Sequence, residues 1–207
     1  MTTEITQHSE CFFSIRIGNI YNVHTTVTAS ADQVFAWISD ILRIHRYRLH
    51  HLVVGIDIEW RPSFSRYQNP VALLQLCVGR RCLIFQLLYP ISSPRSGGLP
   101  RRRSVHLRRR WNRGGDVERL ADDLNLLVFN TVDLRELAAQ RMGRDDLRRK
   151  GLASLAMEVL GVQVNKPRRV QMSDWSRYVL NLDQIKYACV DAFLSFEMGR
   201  RLFAGNF

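Results

Sequence analysis

The feature that most constrains the fold is a short run of mostly apolar residues, Leu-Val-Val-Gly-Ile-Asp-Ile, at positions 52–58. It is rich in valine and isoleucine, and such a run is typical of a strand that is covered on both faces. A chain of 207 residues with 46% hydrophobic residues can bury a core around this strand, and its length suits one domain. We therefore predict a single domain over residues 1–207, with this run as a central strand.

The rest of the first half predicts two hairpins and one helix. Its strand candidates are rich in β-branched residues and are separated by turn-forming pairs that contain glycine. Ser30 is placed to cap a helix whose apolar residues recur at the helical period. The predicted elements are a hairpin over residues 14–17 and 23–28, the helix after Ser30, and a hairpin over residues 71–78 and 82–88.

The hydrophobic period changes to that of a helix at Asp116, which is placed as a helix cap. Strands first and helices later, with one mixed sheet between them, indicate an α/β domain. The predicted elements of the second half are a helix from residue 116, a short strand over 128–133, and helices near 134–140, 151–160, 173–179 and 182–202.

The charge of the chain is strongly positive but unevenly distributed. The formal net charge is +11 and the isoelectric point is near 10.2, which suggests a polyanionic partner such as nucleic acid. Eight arginines lie within residues 90–115, a stretch without any acid, so the remainder of the chain carries only +3. The inference of a polyanionic partner therefore depends mainly on this one segment.

Other compositional features exclude several classes of protein. No apolar run reaches membrane-spanning length, and the polar N-terminus is unlike a secretory signal, so we expect a soluble protein of the nucleus or cytoplasm. The basic runs could act as a nuclear address. Cysteines without zinc-site spacing, too few for a disulfide scaffold, are expected to be reduced core thiols. They are Cys11, Cys77, Cys82 and Cys189.

Two acids lie at the end of the central run. Because strand side chains alternate, Asp57 and Glu59 share one face while Ile56 and Ile58 point to the other. Neighbouring buried carboxylates are costly unless a cation compensates both, and a hard divalent metal ion is the simplest such cation. The alternative is a strand end that reaches solvent, where both acids are hydrated. Spacing alone leaves both interpretations open.

A second acid motif lies in the last predicted helix. Tyr187 and Asp191 are four residues apart, which places a phenol and a carboxylate on one helix face. The neighbouring residues are mostly apolar, so this face carries two polar groups within an otherwise apolar helix. The alternative is an exposed aspartate beside a tyrosine that faces the core.

Taken in order, these motifs resemble a known family. The stretches are VVGIDIEWRPSF, NPVALLQLCVGRRCLIFQLLY, GDVERLADD, VDLRELA, KGLASLAMEVLG and DWSRYVLNLDQIKYACVDAFLSFEMGRRL. They resemble the tyrosine-type DEDD (DEDDy) 3′-5′ exonucleases, and within them the plant Werner-like exonuclease domain. Each motif is short, but the ordered combination is specific and covers nearly the whole chain apart from the arginine-rich segment.

This resemblance implies a ribonuclease H-like fold, with a mixed five-stranded sheet flanked by helices. It also implies that nucleotides are removed one at a time from DNA or RNA 3′ ends by two Mg²⁺ or Mn²⁺ ions about 3.5 to 4 Å apart. Asp57 would bridge the two ions, while Glu59 and Asp191 would complete the first site. Asp116 would help to hold the second ion, and Tyr187 would orient the attacking water.

Four further residues are candidates for binding nucleic acid. Trp60 and Leu74 could stack on or wedge against the terminal base, although core packing is the alternative for Leu74. Lys166 and Arg168 could contact phosphates, although a short basic loop is often simply solvated.

The arginine-rich segment departs from the family pattern, which has an apolar strand before the acid that corresponds to Asp116. A central strand does not tolerate this charge density, because several guanidinium groups would be buried without partners. One interpretation of residues 90–115 is a basic loop that attracts nucleic acid. The favoured one is a reading-frame slip that disrupts the strand before Asp116.

Loss of that strand would leave an alternative function, a catalytically impaired nucleic-acid-binding protein of the same fold. The sequence also contains no helicase motif. Any helicase or other protein partner is therefore expected to be a separate chain.

Overall fold

In the computed structural model, residues 2–63, 66–87, 116–124 and 126–207 are described, and they form one sheet with helices packed against it. The arginine-rich segment predicted to be disrupted lies outside these residues. The strands are β1 (Thr3–Gln7), β2 (Phe12–Ile17), β3 (Tyr21–Thr28), β4 (Gly55–Trp60), β5 (Val71–Val78) and β6 (Arg81–Gln86). The helices are α1 (Ala31–Ile44), α2 (Asp116–Leu124), α3 (Leu134–Met142), α4 (Leu152–Leu160), α5 (Arg168–Gln171) and α6 (Leu182–Ala204), with 3₁₀ turns at Leu49–His51 and Asp145–Arg149.

The sheet is mixed, with the strand order β1-β2-β3-β6-β5-β4. β3 and β6 are parallel and all other neighbouring pairs are antiparallel, which confirms the predicted mixed α/β sheet. The described residues alone contribute six strands, whereas five were predicted. The additional strand is β1, whose mostly polar sequence gave no strand pattern because it pairs along the edge of the sheet through its backbone.

The position of β4 differs from the prediction. It was expected to be central, but in the part of the chain that the structure describes it is the outermost strand next to β5. Its apolar sequence is explained by burial on both faces, because Ile56 and Ile58 lie in the core on one side and α6 covers the other. The two predicted hairpins are both present. In the second, the two-residue turn Gly79-Arg80 closes the pair Val78–Arg81, and Gly79 has a φ of 61° that glycine adopts without strain.

The longest helix, α6, begins at Leu182 as predicted. Asn181 forms a capping box with Gln184, in which each side chain bonds the other residue's backbone N–H, at 2.9 and 3.1 Å. Gly205 ends the helix with a φ of 72°. Most of its residues are buried, because the helix lies across β4, β5 and β6.

Two local predictions were wrong, and a third, the cap at Ser30, was confirmed in position only. Residues 128–133 do not form a strand, because Asn130 has a φ of 60° that interrupts the extended backbone. Residues 173–179 do not form a helix, because Asp174 accepts hydrogen bonds from the backbone and hydroxyl of Ser176 and so stabilises a turn instead. Ser30 is the N-cap residue of α1, but its side chain makes no capping hydrogen bond.

One close backbone contact fixes the distance between the sheet and α6. A Cβ atom added at Gly55 would lie 2.2 Å from the carbonyl oxygen of Ala192 and 2.5 Å from the backbone nitrogen of Phe196. Both are backbone atoms of a packed helix and cannot rotate away. Only glycine therefore allows β4 and α6 to approach this closely.

We expect Gly55→Ala to lower the free energy of unfolding by about 1–3 kcal/mol or more, since the added methyl group forces β4 and α6 apart. Urea denaturation measures this change. Gly151→Ala is the matched control, because a Cβ at Gly151 meets no atom within 4 Å, and it is expected to cost less than about 1 kcal/mol. Equal stability of the two variants would contradict the close contact.

Candidate metal centre and active site

Three carboxylates meet between β4 and α6. Asp57 and Glu59 lie on the face of β4 that is turned toward α6, and Asp191 lies on the facing side of the helix. One carboxylate oxygen from each residue lies within 4.8 Å of the others. Glu59 and Asp191 are only 9% and 3% exposed. The predicted proximity of Asp57 and Glu59 to Asp191 is therefore present in the fold.

The sequence positions these acids through the strand register. Asp57 lies opposite Gln75 and Glu59 lies opposite Leu73 on β5. The register then shifts between Glu59 and Trp60, so β5 carries one extra residue at Ala72 next to the acids. Such bulges bend a strand and change the direction of nearby side chains.

Lys166 supplies a positive charge inside this acid cluster. Its Nζ atom lies 2.6 Å from Oδ2 of Asp191 and 4.9 Å from the centre of the Tyr187 ring. Burial alone would lower the pKa of Lys166, but the Asp191 carboxylate more than reverses this effect, so its pKa is raised. Lys166, predicted as a phosphate contact, thus lies in the acid cluster as a charged partner of Asp191.

Tyr187 lies beside the same carboxylates. It is 7% exposed, and its ring centroid is 5.7 Å from that of Trp175. Burial, followed by the nearby Asp191 charge, raises the pKa of Tyr187. Burial likewise raises the pKa of Asp191, while Lys166 opposes that rise. Tyr187 therefore keeps its proton at neutral pH and can donate or accept a hydrogen bond.

Gln75 is a buried polar residue of this region that was not among the predicted site residues. It is fully buried on the same sheet face as Asp57, its cross-strand neighbour. Neither its amide nitrogen nor its amide oxygen has a hydrogen-bond partner among the described protein atoms. A buried amide without a protein partner is usually bound by water or by an ion. Only the cross-strand register reveals its position beside Asp57.

Asp116 is the first residue of α2, as predicted, but its side chain lies outside the described part of the structure. Its role as the fourth metal-binding acid stays a prediction. The far end of the same helix is fixed near the site, because Oδ2 of Asp123 accepts a hydrogen bond of 2.9 Å from the backbone nitrogen of Val71. This bond connects α2 to the strand residue that precedes the bulge.

The other three residues predicted to contact nucleic acid lie at different places in the fold. Trp60 packs against the guanidinium of Arg119, 4.0 Å from the ring centroid. Arg168 is exposed at the start of α5. The prediction for Leu74 is wrong, because strand alternation places its side chain on the sheet face opposite the acids, where it is 8% exposed in the core.

The residues present fit a divalent metal ion. Carboxylate oxygens are the ligands that hard cations such as Mg²⁺ and Mn²⁺ prefer. Three such groups converge beside a buried amide that has no hydrogen-bond partner among the described protein atoms, and Asp191 is compensated by the ammonium group of Lys166 and a hydrogen bond from Tyr187. A cavity of about 310 Å³ opens beside Lys166, Tyr187 and Asp191 and gives access to this region.

Comparisons with known proteins agree with this arrangement. A family model described as 3′-5′ exonuclease matches residues 111–202, a range that contains Tyr187 and Asp191. A 3′-5′ exonuclease of Arabidopsis thaliana is 32% identical over 147 residues, which cover 70% of this chain and 50% of that protein. The bifunctional 3′-5′ exonuclease/ATP-dependent helicase WRN of Mus musculus is 27% identical over 72% of this chain and 11% of that protein. The chain thus spans half or less of the length of these relatives.

Solved structures show the same fold. Escherichia coli RNase D has a TM-score of 0.62 at 19% identity, over 88% of this chain and 45% of that chain. The EXO domain of Aedes aegypti Nibbler has the same score and identity over 94% and 99%. Fold and acid cluster together define a ribonuclease H-like domain with an acidic centre between strand and helix. Within that class, the chain belongs to the DEDDy-type 3′-5′ exonuclease domains. Its assignment to a plant subgroup stays a prediction.

We expect Lys166→Met to destabilise the metal-free protein by about 2–4 kcal/mol, because Asp191 would remain buried among acids without its cation. The same change should tighten Mn²⁺ binding, since the ammonium no longer competes for Asp191. Urea denaturation in EDTA and calorimetric Mn²⁺ titration measure the two effects. Lys186→Met is the control, because Lys186 pairs with the partly exposed Asp183 at 3.2 Å. Equal results for the two variants would disprove the role of Lys166.

We expect Gln75→Leu to stabilise the metal-free protein by about 1–3 kcal/mol, because it removes a buried amide without partners. It should also weaken Mn²⁺ binding, because the amide is then missing beside the metal centre. Gln33→Leu is the matched control: Oε1 of Gln33 on α1 is likewise buried without a partner among the described atoms, but it lies on another element. Stabilisation by both changes, with weaker Mn²⁺ binding only for Gln75→Leu, is the expected pattern. Unchanged Mn²⁺ affinity in both variants would contradict it.

Proposed function

We propose that this protein is a metal-dependent 3′-5′ exonuclease that hydrolyses phosphodiester bonds at the 3′ ends of nucleic acids. The observation that carries this proposal is the convergence of Asp57, Glu59 and Asp191 within 4.8 Å, beside a buried tyrosine on the same helix. A carboxylate cluster with a protonated phenol suits hydrolysis in which water is the nucleophile. Membership of the DEDDy-type exonuclease domains supports the same chemistry.

The metal ions are proposed to be two Mg²⁺ or Mn²⁺ ions. Asp57, Glu59 and Asp191 would hold one ion, and Asp57 together with Asp116 would hold the other. When bound, such ions activate a water molecule and stabilise the leaving 3′ oxygen. This assignment goes beyond the three acids that the structure brings together, because it also requires the side chain of Asp116.

The residues around the acids are proposed to hold the attacking water, balance charge and contact the terminal base. The Tyr187 hydroxyl, whose pKa is raised by burial and by Asp191, would hold the attacking water by a hydrogen bond without losing its proton. Lys166 would balance the charge of Asp191 before substrate enters, and the cavity beside it can admit a phosphate group. Trp60, packed on Arg119, would offer an aromatic surface to the terminal base.

Nucleic acid is the proposed substrate class, and DNA and RNA are both candidates. The relatives include an exonuclease joined to a helicase, and one structural neighbour is an exoribonuclease involved in structured RNA processing. No helix in the described part of the chain is long and apolar enough to cross a membrane. Residence in the nucleus or cytoplasm stays a prediction from the basic composition.

We expect Asp57→Ala and Asp191→Ala each to lower the rate of nucleotide release by about 1,000-fold or more, because the metal contributes several kcal/mol to the transition state. The assay uses matched single-stranded and duplex DNA and RNA oligonucleotides with a labelled internal position, with Mg²⁺, Mn²⁺ or EDTA. Asp40→Ala, at an exposed acid paired with Arg43, is the control and should retain full activity.

Wild-type activity in either acid variant would disprove the site assignment. Metal-dependent release by the unaltered chain would exclude the alternative of an impaired nucleic-acid-binding protein. Binding of oligonucleotides without any release would favour that alternative instead.

A further inference from the structure

A second cavity, of about 450 Å³, lies between the loop after α1, the β5–β6 turn and the C-terminal half of α6. Its volume falls within the range of roughly 300–1,000 Å³ that is typical of small-molecule sites. It shares no lining residue with the cavity beside the acid cluster. Phe193 and Glu197 face this cavity, whereas Asp191 faces the acids. Phe193 follows Asp191 by two positions, about 200° around the helix, so the two cavities lie on different faces of α6.

Positive charges from three separate elements converge on this second cavity. Arg48 follows α1, Arg80 lies in the β5–β6 turn, and Arg200 lies near the end of α6. Neither Arg48 nor Arg80 forms an ion pair with an acid in the residues that the structure describes. The pKa of His45, which also lines the cavity, is lowered by burial and then by Arg48 and Arg81, as expected where the local potential is positive.

The one acid that lines the cavity is already neutralised. Glu197 is 4% exposed, and its carboxylate accepts hydrogen bonds of 2.7 and 2.8 Å from Arg200 and one of 3.2 Å from Arg201. The hydroxyl of Tyr21 donates a further bond of 3.3 Å. With Glu197 compensated, the guanidinium groups of Arg48 and Arg80 leave the cavity with a net positive charge. Such a site favours an anion.

Aromatic side chains form another part of the cavity wall. The rings of Tyr21 and Phe193 lie 4.9 Å apart between centroids, and Phe196 lines the cavity beside them. Aromatic and apolar walls bind planar rings, whereas arginines bind phosphate. A ligand that uses both features carries a phosphate and a planar ring on one small molecule.

We propose that this cavity, which we call the arginine-aromatic pocket, binds a nucleotide, with its phosphate against Arg48 and Arg80 and its base against Tyr21, whose ring packs on the buried Phe193. The ligand is a free mononucleotide or one nucleotide unit of a strand, since both present the same phosphate and base. The pocket is separate from the acid cluster and does not depend on the proposed nuclease activity. It adds a second point at which this chain contacts nucleotides.

Isothermal titration calorimetry of the full chain in EDTA tests the pocket, because without metal the acid cluster repels phosphate. The probes are AMP, adenosine, inorganic phosphate and a short oligoadenylate. AMP is expected to bind at least about tenfold more tightly than adenosine or phosphate, because only AMP engages both walls. Arg48→Ala combined with Arg80→Ala should weaken AMP binding by about tenfold or more.

A matched double variant serves as the control. Arg16→Ala combined with Arg43→Ala removes the same charge outside the pocket and should leave AMP affinity unchanged, which separates a built site from the general positive charge of the chain. Tighter binding of the oligoadenylate than of AMP, with the same loss in the pocket variant, would assign the site to a strand. The proposal is overturned if AMP and oligoadenylate do not bind, or if both double variants weaken binding equally.

Discussion

The contact between the Gly55 backbone and the backbone of α6 is the constraint on which the rest of the site depends. Because no Cβ separates them, Ala192 and Phe196 lie directly over β4. That distance brings Asp191 to the acids of β4, which lie two and four residues beyond Gly55. The acidic centre is therefore not a property of any single motif. It results from close packing of two elements that are more than 120 residues apart in the chain.

Close packing of this kind buries carboxylates of α6, and their charges are compensated in two different ways. On one face of α6, Asp191 is compensated by an ammonium group from Lys166 and a hydrogen bond from Tyr187, and the proposed metal ion would replace the ammonium group. On another face, Glu197 is held by two guanidinium groups and a phenol in a multidentate network. Arginine forms forked bonds that persist, whereas lysine is a mobile point charge. The exchangeable ion pair is at the acid cluster, and the permanent one supports the helix end.

Local sequence patterns predicted much of this fold, and tertiary register determined what they could not. The period of two placed Asp57 and Glu59 on one face, and the helical hydrophobic period of the second half predicted α6 near its observed start, so both were predicted. The face of Leu74 and the position of Gln75 depend on how β5 pairs with β4, which no local pattern contains. Lys166 was taken for a loop charge because its partner is 25 residues away. β1 was missed because its pairing uses backbone groups rather than apolar side chains.

The capping box at Asn181 and Gln184 has a consequence for Tyr187, the tyrosine proposed to hold the attacking water. Helices fray from their ends, and the first turns are held only by the cap and by packing. Tyr187 lies less than two turns from this cap, whereas Asp191 lies one turn deeper. Gln184 also donates to Ser173 and to the Asp174 carbonyl, which joins the helix start to the preceding loop. Local opening of this terminus would move the phenol before it disturbed the acids, so hydrolysis and metal binding can differ in their sensitivity to temperature.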